Sequence, residues 1–272
     1  MKWSELIKKR RSIRTFDGEG LSDSEISEIT EITKTAANPY GISIDWTVLD
    51  AKENGLSSIV IVGAEKYIAG KIRCVPHAEE AFGFSFEKIV LEVLGMGIGT
   101  TWIAGTMNRQ AFEKAVSLGT DEMMPCVSPI GHPASKMSVR ETVMRKNIGA
   151  EKRLPFEELF FLGSFEKPLS EADDEISFML NMVRLAPSAV NKQPWRVVIS
   201  GNKAHFYEKK SRGYVSEGGW DIQKIDIGIA LCHFVLAAEE SGFEPAFSVS
   251  EPDIVTPDGV SYVATSEWRK KG

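Results

Sequence analysis

The chain has 272 residues, 43% of them hydrophobic and 26% charged, with a formal net charge of -6 at pH 7. This is room for one large or two small domains of ordinary soluble composition. The acidic balance leaves no global field for nucleic acid, and the most apolar stretch, 81–105, carries Glu87, Lys88 and Glu92, which argues against a membrane span.

The first residues, MKWSELIKKRRSIRTF, place their basic side chains after their apolar ones, which is not the order of a signal peptide. They contain KKRRSIR at 8–14. Its guanidinium groups suit bidentate contact with a phosphate or carboxylate. The same run also reads as a solvated basic helix end or a nucleic-acid patch. GLSDSEIS at 20–27 sets serine and acidic residues ahead of an apolar-periodic run, a helix start. Strands are expected at 46–50 and 57–62. A central helix within 81–102 is apolar almost all round, as a helix buried on every side would be. GMGIGT at 95–100 follows a helix rather than a strand and lacks the G-x-G-x-x-G spacing. It therefore predicts a helix stop and a tight turn with exposed backbone N–H groups, not a Rossmann site.

A strand at 123–130 closes this part, and residues 145–168 have the length of a crossover. PLSEADDEIS at 168–177 is a second helix start. PSAVNKQPW at 187–195 follows; its Ser188, Asn191 and Gln193 can donate and accept hydrogen bonds. The turn reads either as a ligand clamp or as a helix stop and strand start, with amides capping loose backbone and Trp195 in the core. Strands are expected at 195–200, 203–208 and 259–265, with a second central helix within 226–247. Cys74, Cys126 and Cys232 fit no metal or disulfide spacing. Each reads as a small buried apolar residue in a reducing, cytoplasmic compartment. His77, His132, His205 and His233 show no triad or metal spacing, and His233 reads as a satisfied core residue.

The chain repeats itself. ISEITEITKTAANPYGISIDWTVLD at 26–50 lies beside ISFMLNMVRLAPSAVNKQPWRVVIS at 176–200, with one inserted residue bringing Trp46 onto Trp195. AFGFSFEKIVLEVLGMGIGTTW at 81–102 matches 226–247 without a gap, so Gly83 falls on Gly228 and Gly97 on Gly242. Order, spacing and periodicity agree, which indicates a duplication. The expected organisation is one half at 1–150, a crossover at 151–168 and a second half at 169–272. The two central helices pack against each other, as in a homodimer fused into one chain. The copies differ: the first keeps KKRRSIR and GIGTTWIAG, the second keeps PSAVNKQPW.

Together, RRSIR at 10–14, GMGIGTTWIAG at 95–105, KRLP at 152–155 and APSAVNKQPW at 186–195 resemble the FMN-dependent nitroreductases, and the duplication resembles their internally duplicated Thermotoga-type subgroup. The resemblance implies an α+β fold of two pseudo-symmetric halves, each a small mixed or antiparallel sheet packed on apolar central helices. It implies that Arg10, Ser12 and Arg14 hold the FMN phosphate and the pyrimidine side of the ring, with Arg11 inside the motif. Lys152 and Arg153 match a basic pair on the phosphate. Pro187, Ser188, Ala189 and Asn191 match a turn that ordinary, homodimeric members supply from the second subunit. Ile103, Ala104 and Gly105 match the turn whose backbone N–H groups face flavin N5; family members often have an acidic residue where Ala104 stands. The activity implied passes a hydride from NAD(P)H through flavin N5 to a small aromatic, quinone or nitro-type acceptor, with no side chain as nucleophile. Alternatives are a specialised flavin enzyme of this fold (dehalogenation, flavin breakdown or dehydrogenation), a non-catalytic flavin-binding protein, and an interaction protein using KKRRSIR. From the spacing of Cys and His, the charge and the composition, no metal and no nucleic-acid or membrane partner is expected, and the fused duplication makes a monomer the expected working form.

Overall fold

The computed structural model describes residues 1–215 and 219–270. In chain order its first elements are α1 (Trp3–Lys9), α2 (Asp23–Thr35), β1 (Ile44–Asp50), β2 (Lys66–Arg73), α3 (Ala78–Gly95), β3 (Gly99–Thr100), α4 (Arg109–Ala115), β4 (Glu122–Met123), β5 (Val127–Gly131) and α5 (Val139–Ile148). There follow α6 (Phe156–Leu159), β6 (Phe160–Leu162), α7 (Glu175–Arg184), β7 (Trp195–Ser200), β8 (Lys203–Lys209), α8 (Ile222–Glu240), β9 (Phe243–Ser248) and β10 (Val260–Lys270). They group into an N-terminal unit, Lys9–Ala78 with Ser85–Ala150, and a C-terminal unit, Met1–Lys8 with Glu79–Phe84 and Glu151–Gly272.

The helix starts follow their caps. The Ser22 hydroxyl accepts the Glu25 N–H, and the Glu25 carboxylate accepts the Ser22 N–H, so a capping box opens α2. Asp174 accepts the Ser177 N–H at 2.7 Å and opens α7.

In the N-terminal unit the sheet runs β1-β2-β5-β3, with β4 beside β2, antiparallel throughout. Trp46 faces Gly70 across the β1–β2 pair, and a Cβ at Gly70 would overlap the indole. One face of the sheet buries Leu49, Tyr67, Ala69 and Val127 with Phe112 and Val116. The expected strand at 57–62 does not form. That apolar run makes single bridges instead, Ser58 to Met107 and Val62 to Thr15, and leaves Ile59 and Val62 exposed. The sheet position goes to KYIAGKIR at 66–73, whose inner residues Ile68 and Ala69 are fully buried.

In the C-terminal unit the sheet runs β6-β7-β8-β10-β9, antiparallel except for the parallel pair β6–β7. The region expected as a pure crossover thus supplies an edge strand. The rest of the sheet repeats the other one: β7-β8-β10-β9 follows the same chain order as β1-β2-β5-β3. The central helices repeat too. α3 ends on Gly97 at φ +83° and α8 on Gly242 at φ +82°, each the left-handed stop that glycine allows.

The crossing of α3 and α8 lies inside this unit. A Cβ at Gly83 would overlap the carbonyl oxygen of Ile225, and one at Gly228 the carbonyl oxygen of Glu80. The two helices meet backbone to backbone through the pair of glycines that the repeat aligns. Ser4 of α1 binds the Glu240 carboxylate at the end of α8 through both its N–H and its hydroxyl. His233 is fully buried and donates Nδ1–H to the Met182 carbonyl, a satisfied core residue. Cys126 and Cys232 are buried, but Cys74, just after β2, is exposed, unlike the expectation for it; none of the three is in a disulfide.

Candidate functional site

Residues 10–14 form no helix or strand. Ile13 anchors them: it is buried, its N–H donates to the Thr100 carbonyl at 2.8 Å, and its side chain sits where a Cβ on Gly99 would be. Arg10, Ser12 and Arg14 occupy the alternate positions, while Arg11 is exposed. The Arg10 side chain is 9% exposed, its Nε 3.7 Å from the fully buried Glu87 carboxylate on α3. That distance makes an ion pair and no hydrogen bond, and Arg10 Nε is buried without a hydrogen-bond partner among the described residues. Burial pulls the Arg10 guanidinium below its ordinary value; Glu87 opposes this, and Arg145 of α5 adds to it. Burial likewise lowers Arg14, with Glu141 opposing and Arg145 and Arg10 adding. Glu141 is buried and fixed by the Thr15 hydroxyl at 2.8 Å, and Ser138 caps α5 over the same Thr15 oxygen. Arg10 and Arg14 are thus each opposed by a carboxylate and pushed by the charge of Arg145, and the Arg10 Nε is an orphaned buried donor, a setting that an anionic phosphate completes.

The GIGTTWIAG segment lies in the same unit. After Gly97, β3 pairs with β5, and Thr101 donates its N–H to the buried Ser128 hydroxyl at 3.0 Å. Trp102 gives its indole N–H to Glu87 at 2.9 Å, and Ile103 exchanges two hydrogen bonds with Val127. The Ile103 N–H is therefore engaged, which corrects its expected place among the free donors of the turn. Among the described residues the N–H groups of Ala104 and Gly105 have no acceptor, and a Cβ on Gly105 would meet open space. The turn is held from behind by Arg109, which binds the carbonyls of Ala104, Met124 and Pro125 at 2.7–3.1 Å.

The remaining residues lie in the C-terminal unit. In 187–193, Val190, Asn191 and Gln193 all have positive φ, between 50° and 56°. Left-handed backbone at a β-branched residue is strained, a state found where surrounding contacts impose it. Here they do. Both Asp226 oxygens accept the Ala189 N–H at 3.1 Å, and the Ser188 hydroxyl accepts the Gln193 N–H. Asp226 is buried, and burial raises its pKa well above the ordinary value, with Asp221 and Glu208 adding and the Ala189 N–H opposing.

The amides bind protein rather than standing open. Asn191 donates to the Lys152 carbonyl, Gln193 accepts the Leu154 N–H, and Arg153 reaches Asn191, the Lys152 carbonyl and the Leu185 carbonyl. The KRLP segment and the polar turn thus hold each other, and Lys152 is exposed. The third cation facing Arg10 and Arg14 is Arg145, which the sequence reading missed. It missed Glu87 as well, although a carboxylate in a helix apolar all round was a visible signal. Nothing in the local pattern marked Arg109.

Residues 2–238 match the protein family described as "Putative TM nitroreductase", and the chain belongs to that family. Among solved structures it resembles the Thermotoga maritima protein described as a "putative nitroreductase". The two are 22% identical over 98% of this chain and 93% of that one, with a TM-score of 0.63, and share the fold. An FMN-dependent nitroreductase of Clostridium difficile is 17% identical over 49% of this chain and 88% of its own, at a TM-score of 0.42. Iodotyrosine deiodinase bound to FMN and 3-iodo-L-tyrosine is 14% identical over 50% and 92%, also at 0.42. No curated protein matches the chain in sequence. Among the described residues no helix is long and apolar enough to cross a membrane, and no group of His, Cys, Asp or Glu is arranged to hold a metal ion.

Proposed function

We propose that this nitroreductase-family chain is an FMN-dependent oxidoreductase that takes reducing equivalents from NAD(P)H and passes them to a small aromatic, quinone or nitro-type acceptor. The observation that carries the reading is the buried Arg10 guanidinium, with its Nε lacking a hydrogen-bond partner among the described residues and the charges of Arg14 and Arg145 beside it. Arg10, Arg14 and Arg145 would bind the phosphate, with Ser12 beside them. Ala104 and Gly105 would offer their N–H groups to the ring. Pro187, Ser188, Ala189 and Asn191 are retained as the turn implied by the resemblance, with the Asn191 amide acting through Lys152 and Arg153. Bound FMN would supply the hydride chemistry, and the chain would bind, orient and shield it. Three cysteines outside any disulfide support a reducing, cytoplasmic setting.

The test is a visible absorption spectrum of fresh protein, then denaturing release and chromatography of the chromophore. FMN is the expected product. Release of FAD, or no flavin after reconstitution, refutes the reading.

A further inference from the structure

We propose that Glu87 is a positioning residue: its carboxylate aims Arg10 at the phosphate and, through Trp102, fixes the turn of Ala104 and Gly105. The inference rests on the flavin reading above and adds to it a residue belonging to none of its motifs.

Glu87 lies on α3, fully buried, with its two oxygens turned to two different segments. Oε1 faces Arg10 Nε at 3.7 Å, and Oε2 accepts the Trp102 indole N–H at 2.9 Å. Trp102 also packs edge-on against Phe86, the neighbour of Glu87 on the helix, with ring centroids 4.6 Å apart. The next residue, Ile103, is locked to Val127 by two hydrogen bonds and belongs to the sheet core. One carboxylate thus sits between the basic motif and the glycine-rich motif, and the open N–H groups begin one residue beyond Ile103. Burying an ionised carboxylate is costly unless partners compensate it.

The duplication supplies the internal control. The ungapped match of 81–102 to 226–247 puts Cys232 at the position of Glu87 and Phe247 at that of Trp102. The stretch equivalent to KKRRSIR, FFLGSFEKP, has no arginine. Carboxylate, indole donor and arginine are present together in one copy and absent together from the other. The repeated helix folds around a buried Cys232, so the helix itself has no need of an acid here. An acid kept only beside the arginine and the tryptophan belongs to what they do. Its removal leaves Arg10 facing Arg14 and Arg145, which repel it, with no carboxylate of its own.

The experiment measures the affinity of flavin-free protein for FMN and for riboflavin in the wild type, Glu87→Gln and Arg10→Ala. Glu87→Gln retains an acceptor for Trp102 and removes the charge. The expected result is about a tenfold weaker hold on FMN, a much smaller change for riboflavin, and no further loss when Glu87→Gln is added to Arg10→Ala. Equal losses for FMN and riboflavin, an unchanged FMN affinity, or tighter FMN binding would overturn the positioning role. Glu87→Cys, carrying the residue of the other copy, serves in place of Glu87→Gln if that variant fails to fold. If the wild type binds no flavin, the functional reading fails on its own. Glu87 is then judged with inorganic phosphate as the probe: a smaller phosphate-induced rise in melting temperature in the variant than in the wild type upholds the inference, and equal rises overturn it.

Discussion

The Arg10 guanidinium is buried with one carboxylate 3.7 Å from its Nε and two other arginines opposing its charge. If a phosphate resolves that imbalance, Arg10→Ala should weaken FMN by about tenfold to hundredfold and riboflavin far less, since each charge-assisted hydrogen bond is worth roughly 1.5–3 kcal/mol. Arg145→Ala should behave in the same way. Arg153→Ala should not: Arg153 binds Asn191 and local carbonyls, so its loss loosens the 187–193 turn and should lower FMN and riboflavin affinity alike. Titrating both flavins against each variant separates the two roles. RRSIR showed which arginines to suspect, but the partner from α5 comes from tertiary structure that no local motif encodes.

Glu208 makes a different prediction at the same scale. It faces Trp195 across the β7–β8 pair, buried, with neither oxygen hydrogen-bonded among the described residues. Burial first, then Asp221 and Glu80, push its pKa from 4.5 up to about 7, against Lys210 and Lys224. A folded-state pKa above the unfolded one means that the folded chain holds the extra proton. Its contribution is therefore fully present below pH 4.5 and is lost as the pH rises through about 7. Glu208→Gln should stabilise the protein by about 1–3 kcal/mol at pH 8 and leave it nearly unchanged at pH 4.5. Melting curves at the two pH values check this, and a variant that melts lower at pH 8 contradicts it.

Among the elements, the helices were the most legible. Ser22 and Asp174 cap where a serine or an acid precedes an apolar run, and the all-round apolar character of the central helices within 81–102 and 226–247 marked them as buried, as α3 and α8 are. The strand at 66–73 was not legible, because IVIVG at 59–63 looks more like a strand than KYIAGKIR does. Pairing decided it: β2 lies between β1 and β5, while 59–62 has only isolated bridges. Propensity is a weak guide where register and burial choose the partner. The helix crossing gives a sharper test. Replacing a mid-helix glycine with alanine gains about 1 kcal/mol of propensity where space allows. At Gly83 and Gly228 the new Cβ meets a backbone carbonyl that no rotamer change can move. Each alanine should therefore destabilise the fold by about 1–3 kcal/mol or more despite the propensity gain. Denaturant unfolding of Gly83→Ala and Gly228→Ala measures it, and a more stable variant would disprove the tight crossing.

For the whole molecule, the repeated strand order and the paired stop glycines make the duplication a property of the fold as well as of the sequence. Its two copies have been edited in opposite ways, and the editing sets the expected flavin count. The N-terminal unit holds the basic cluster and the Ala104–Gly105 turn; the C-terminal unit holds the polar turn with its strained backbone. Among the described residues each feature occurs once. The C-terminal counterpart of the basic cluster has no arginine, only an exposed Lys167 whose carbonyl accepts the Leu162 N–H. The N-terminal counterpart of the polar turn keeps Asn38, but its amide is engaged by the Ile42 carbonyl and the Ser85 hydroxyl. A second phosphate would have no guanidinium cluster, and a buried dianion without such partners is strongly disfavoured. One FMN per chain is the expected stoichiometry, and one copy of every motif in one chain supports action as a monomer. Flavin absorbance against protein concentration on fully reconstituted protein, with its mass in solution, decides both points. Two flavins per chain would mean that the edited copy still binds, and one flavin per two chains would mean that the motifs are shared between molecules.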